Sequence, residues 1–258
     1  MSALLRFEDW SDPVPAAERE VVSQLPDEDQ GRPPLLFVPG LGHGAWAFAE
    51  HWIGHAASRG FPAHAVNPRP DGDLRAQAHD VVQVAASLPR QTVLIGHGTG
   101  SRVVARALGR YPARAAVLIA PVLDGWAALG AALRSNPAGT VPALFGGRLK
   151  FSGRQLFGPD LPPEEAAAHL ERIGARPRAE LFARDGLPEP VGGPPVLVVG
   201  SPDDRVVPRP ALDRAAVRYG GAPLLFPGMG HYLMLETKWA EPIDAILDWL
   251  DKEIPQAG

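Results

Sequence analysis

Short stretches at three places carry residues able to do chemistry. The first is Gly96-His97-Gly98-Thr99-Gly100, which follows an apolar run and precedes a helical pattern. It has the frame of G-x-S-x-G, in which small residues flank a sharp strand-to-helix turn and the central serine stands exposed as a nucleophile. Here the frame is kept and Gly98 takes the place of the serine. Taken alone, a G-x-G-x-G turn is also compatible with a phosphate-binding loop or with a turn of no catalytic role. The second stretch is Gly200-Ser201-Pro202-Asp203-Asp204-Arg205-Val206-Val207-Pro208. An acid here would orient a histidine base. Asp204 is favoured by its D-x-x-V-P spacing to Pro208; Asp203 is the alternative. The third is Gly228-Met229-Gly230-His231, a glycine-flanked histidine after an apolar run. The chain order of nucleophile position, acid and base is the one that accompanies such a turn. His231 with Asp204 is therefore a candidate general base.

Such residues need a frame, and the sequence supplies it as short apolar runs alternating with helical patterns. That alternation is the signature of a mostly parallel sheet covered by helices on both faces. Strands are predicted at 35–38, 63–66, 92–95, 115–120, 196–199 and 223–226. Helices are predicted at 46–58, 74–87, 100–108, 211–218 and 243–252. Residues before Pro33 read as an antiparallel edge hairpin. Residues 122–191 break the rhythm, with helical patterns at 126–134, 164–173 and 178–184. They are expected to form a helical cap inserted before the last two strands, over a core of 1–121 and 192–258. Large apolar residues in the cap pack it onto the body, and a few wall a pocket. Trp126, Leu144 and Phe145 are the candidates for substrate contact.

The chain resembles the α/β-hydrolase fold superfamily over nearly its whole length. The resemblance rests on Phe37-Val38-Pro39-Gly40-Leu41-Gly42-His43-Gly44-Ala45-Trp46, on Leu94-Ile95-Gly96-His97-Gly98-Thr99-Gly100 and on Gly228-Met229-Gly230-His231. These stretches are similar to those of small esterases, hydroxynitrile lyases and lipase-like members. The resemblance implies an oxyanion hole made of two backbone N–H groups, those of Leu41 and Thr99. Both would survive the loss of a serine side chain. His43, in the same loop, either touches substrate or caps the helix that follows. His97 is expected to point into the body. Thr99 and Ser101 are the nearest hydroxyls to Gly98, and neither aligns with His231 unless the turn is rebuilt.

A base and an oxyanion hole without a nucleophile suit proton abstraction next to a carbonyl. The outcomes would be elimination, isomerisation, decarboxylation or a retro-aldol step. Non-hydrolytic members that this chain resembles include hydroxynitrile lyases, cofactor-free dioxygenases and enzymes that eliminate acetate from acylated tetronates in secondary metabolism. The alternatives are hydrolysis by a water at Gly98, an esterase whose native serine has been replaced, and a non-catalytic ligand binder.

Composition narrows the partners. The 258 residues carry a net charge of -4 and no basic run, which argues against nucleic acid or an anionic membrane surface. No apolar stretch reaches membrane-span length, and no signal peptide is read at the N-terminus. The expected location is cytoplasmic and the expected partner is a small-molecule substrate. The sequence contains no cysteine, which excludes disulfides, thiolate ligands and a cysteine nucleophile. His51, His55, His64, His79 and His169 show no metal-like spacing. No metal and no cofactor are expected. Oligomeric state is not legible.

Overall fold

The computed structural model describes residues 14–15, 17–40, 42–67, 69, 73–123, 125–145, 147–173, 176–177 and 186–254. The first half alternates β1 (Val21–Gln24), β2 (Leu35–Val38), α1 (Trp46–Ala49), α2 (Trp52–Ser58), β3 (Ala63–Val66), α3 (Leu74–Ser87), β4 (Val93–His97), α4 (Gly100–Leu108) and β5 (Ala115–Ile119). Then come α5 (Gly125–Ser135), α6 (Pro137–Leu144), β6 (Arg148–Leu149), α7 (Gly153–Leu156), α8 (Pro163–Ile173) and β7 (Arg176–Pro177). The chain returns to the sheet with β8 (Val196–Gly200), α9 (Arg209–Arg218) and β9 (Leu224–Leu225), and ends in α10 (Ala240–Glu253).

One seven-stranded sheet runs in the order β1-β3-β2-β4-β5-β8-β9. All its pairings are parallel except β1 with β3. Among the described residues the edge is one antiparallel strand, β1, lying on β3; the sequence suggested a hairpin before Pro33, and part of that stretch lies outside the described residues. Leu35, Leu36, Phe37 and Val38 are fully buried, as are all five residues of β5. That is why these strands read as unbroken apolar runs: an interior parallel strand is covered on both faces. Each such side chain contributes roughly 1.5–3 kcal/mol by leaving water.

The register decides where a site can form. Val38 pairs with Gly96, Gly96 with Leu118, His97 with Ile119, and Ile119 with Val199. The carboxyl ends of β2, β4, β5 and β8 thus lie side by side, and their loops must share one edge. Open α/β sheets bind ligands at that edge.

The helix expected at 46–58 is broken at His51, whose φ is -138°. The break has a tertiary cause. It lets the Trp52 Nε1–H donate to the Trp239 carbonyl (2.9 Å) and lays the His51 ring on Trp239 at 4.6 Å between centroids. The segment between β5 and β8 leaves the main sheet and carries α5–α8. The helical pattern at 178–184 lies outside the described residues. An extra helix, α6, lies between the helical patterns expected at 126–134 and 164–173. Asn136 caps it by accepting from Gly139 N–H (3.1 Å), and Pro137 opens its first turn.

Candidate active site

The turn after β4 is built from glycines that have different reasons to be glycine. A Cβ at Gly100 would collide with the carbonyl oxygens of Val38 and Pro39, and one at Gly96 would lie 2.7 Å from Ser101 Cα. A Cβ at Gly40 would stand 3.0 Å from Thr99 N, over the amide expected to face an oxyanion. These three allow close backbone approach. Gly98 is different. Its φ is +56°, and a Cβ there would meet only His231, at 3.3 Å from Nε2 and 3.9 Å from Cε1. The tip of the turn is aimed at the histidine, and there is room for a side chain. The Gly98 carbonyl accepts from Ser101 N–H (3.2 Å) and from Val122 N–H (3.0 Å). The second bond follows a sharp exit from β5, where Ala120 adopts φ +42°. Non-glycine residues rarely take that conformation, and it marks strain next to a site.

The histidine is held from both ends. Its Nδ1–H donates to Asp204 Oδ2 (2.8 Å), and both side chains are almost completely buried. The other carboxylate oxygen of Asp204 accepts from Val206 N–H (2.7 Å) and Val207 N–H (3.0 Å). Asp203 instead accepts from Gly228 N–H (2.7 Å), bracing the two loops. The geometry thus pairs Asp204, and not Asp203, with the histidine. The His231 N–H donates to the Leu156 carbonyl (2.8 Å). Its own carbonyl accepts from His97 Nε2–H (3.0 Å).

His97 lies beneath the site, in ring contact with His43, His231 and Tyr232 at 4.7–5.0 Å. Burial holds its pKa well below the ordinary histidine value, and the neighbouring His231 and His43 push the same way. It is a neutral donor to the loop that carries His231. Ser101 Oγ donates to the Gly96 carbonyl (2.8 Å) and is fully buried, so it is not available as a displaced nucleophile.

Two further side chains escaped the sequence reading. Glu236 is buried, and its Oε1 accepts from Gly158 N–H and Gly230 N–H, both at 2.7 Å. Burial raises its pKa, against the pull of those two bonds. It staples the histidine loop to the segment after α7. Gln155 brings an amide to the roof of the site, its Oε1 accepting from Asn136 Nδ2 (3.2 Å).

A cavity of ≈ 30 Å³ lies over Gly98. Its floor is His97, Gly98, Thr99, Val206, His231 and Tyr232. Its roof is Val122, Ala128, Ala132, Leu149, Phe151, Gln155 and Leu156. Five expected site residues are placed elsewhere or not placed. Trp126 and Phe145 are 74% and 86% exposed, because the inner faces are carried mostly by small residues: Ala128, Ala131 and Ala132 in α5, and Gly139, Thr140 and Ala143 in α6. Leu144 is half-buried and does not line this cavity. His43 is turned inward: its Nε2 accepts from Gly40 N–H (3.2 Å) and its ring packs on Tyr232 at 5.0 Å. It braces the loop it stands in. The helix that follows is entered by Ala45, whose N–H donates to Asn67 Oδ1 (2.7 Å), so His43 does not cap it. Leu41 lies outside the described residues. Thr99 lines the cavity. Among the described residues no group of three or more histidines and carboxylates could hold a metal, and no helix is long and apolar enough to cross a membrane.

The order of strands, the turn at Gly98 and the Asp204–His231 pair define an α/β-hydrolase. The chain belongs to the alpha/beta hydrolase family, whose model matches residues 35–249. Membership places it among the enzymes of that superfamily and leaves the reaction class open. Solved structures share the fold at low identity. An esterase from Rhodococcus sp. is 20% identical, with a TM-score of 0.64 over 90% of this chain and 95% of its own. A monoacylglycerol lipase from Paleococcus ferrophilus is 17% identical, with a TM-score of 0.63 over 92% of this chain and 100% of its own. An E-2-(acetamidomethylene)succinate hydrolase is 24% identical, with a TM-score of 0.59 over 90% and 100%. No curated protein sequence matches the chain.

Proposed function

We propose that this protein uses His231, oriented by Asp204, as a general base on an apolar carbonyl or ester substrate, without a covalent intermediate. The observation that carries this reading is the empty side-chain position at Gly98, 3.3 Å from His231 Nε2. A substrate atom takes the place that a serine oxygen occupies in a hydrolase. Because Nδ1 donates to Asp204, Nε2 is the nitrogen that accepts the proton. In an elimination, a C–H bond next to the carbonyl breaks and its proton goes to Nε2. The electron pair moves onto the carbonyl oxygen, where the N–H groups of Thr99 and Leu41 would stabilise it. Collapse of that enolate expels a leaving group on the next carbon, such as acetate. The apolar roof suits an apolar substrate, such as an acylated intermediate of secondary metabolism.

One observation favours a second reading. The cavity has room for a water molecule beside polar partners. A water held between Gly98 and Nε2 would be deprotonated by His231 and would hydrolyse an ester directly. Turnover in ¹⁸O-labelled water separates the two: a carboxylate product free of label supports elimination, and label in the acid overturns it. Gly98→Ser supplies a further arm. It should give an acyl-enzyme burst with p-nitrophenyl acetate, since its Oγ would lie within reach of Nε2. A wild type inert toward every substrate tried, alongside a fast Gly98→Ser, would overturn the base-only reading in favour of a binder or a serine-replaced esterase.

A further inference from the structure

A larger cavity of ≈ 210 Å³ adjoins the site and takes no part in the chemistry above. Val122, Ala128 and Val206 line both cavities, so the two adjoin along these residues. The larger one continues between the start of the cap segment and α9, over Leu123, Val207 and Ala211. Its walls are mainly apolar, and Arg214 and Arg218 line it too. Those two residues stand one helical turn apart on the same face of α9 and are exposed, which puts them at the mouth. Arg218 also donates to the Leu187 carbonyl (2.9 Å) and lies 3.5 Å from the exposed Glu189 carboxylate. These contacts hold the guanidinium at the opening without burying it.

The smaller cavity leaves little space beyond the reacting atoms, and the larger one beside it offers the room for the rest of a molecule. We propose that the larger cavity takes the non-reacting part of the ligand: an apolar body against Val122, Leu123, Val207 and Ala211, ending in a carboxylate at Arg214 and Arg218. Guanidinium groups bind carboxylates by paired, charge-assisted hydrogen bonds, and apolar walls favour the chain that precedes the carboxylate. The site would also report to the catalytic acid. Val206 and Val207 line the cavity and donate both N–H bonds to Asp204 Oδ1.

That the bound molecule is the substrate rests on the function proposed above; that the cavity binds an amphiphilic carboxylate does not. The test uses octanoate and its neutral analogue 1-octanol, titrated calorimetrically into the full chain. Octanoate should bind saturably and at least about tenfold more tightly than octanol. Arg214→Ala with Arg218→Ala should weaken octanoate about tenfold or more and leave octanol unchanged. Ala211→Phe should abolish both by filling the cavity. Its melting temperature checks that it folds, and the arginine pair tests the site without touching the core. Equal binding of acid and alcohol, no loss in the double arginine variant, or no binding at all would each overturn the proposal. His231→Ala should bind octanoate as the wild type does. That result, with turnover lost, keeps the cavity separate from the chemistry; loss of binding there would overturn the assignment of octanoate to this cavity.

Discussion

The floor and the roof of the small cavity are built on different physics. The floor is fixed by directed bonds: Asp204 accepts two backbone N–H groups and the His231 Nδ1–H, and His97 supports the His231 carbonyl. The roof closes mostly by shape, with alanines and larger apolar side chains facing the cavity. Directed bonds tolerate little displacement, while apolar contacts can be remade at many registers. On the proposed function, the floor would decide which bond breaks. The roof determines what is admitted.

Breaking the floor should give the largest effect. His231→Ala should lower turnover by about 10²–10⁴ and leave the melting temperature nearly unchanged, as steady-state kinetics beside calorimetry would record. A variant that keeps full activity would remove His231 from the chemistry. The frame of the turn comes next. Gly100→Ala should cost about 4 kcal/mol or prevent folding, because its Cβ has no room against β2's carbonyls. Gly98→Ala, two residues away, should cost only about 1–2 kcal/mol for its left-handed φ, as chemical denaturation would report. Similar losses at both positions would erase the distinction between frame and tip. On the roof, Phe151→Ala should change KM by up to about tenfold and leave kcat within a factor of about two. An equal fall in both would mean that the roof touches the transition state.

The smallest effect separates the layer below the floor. The depressed pKa of His97 means that the unfolded chain takes up a proton near pH 6.5 while the folded chain does not. Stability should therefore fall as pH drops below about 6.5, with His51, His64 and His169 adding in the same direction. Denaturant midpoints between about pH 7.5 and 5.5 should show this slope, and His97→Asn should flatten it.

The floor was legible in the sequence because close backbone approach demands glycine and because the order of turn, acid and histidine follows the sheet. The choice of Asp204 over Asp203 could be read from spacing to Pro208, and the geometry supports it. The roof was less legible. Trp126 and Phe145 have the size of pocket-lining residues, yet their helices present alanines inward, and size alone carries no direction. The Asn136-Pro137 start of α6 was a usable signal that the following glycine and prolines obscured. Glu236 had no signal at all: a carboxylate that accepts two loop amides looks, in sequence, like any surface acid. His43 was misplaced because a histidine in a binding loop and one that braces it share the same neighbours.

The bonds between Leu156 and His231, and between Gly158, Glu236 and Gly230, tie one margin of the roof to the base itself. Entry of a substrate and alignment of the histidine are consequently not independent events. A roof that rose as a whole would carry the His231 loop with it, because these bonds join the two. Anything that loosens that margin should cost chemistry before it costs access.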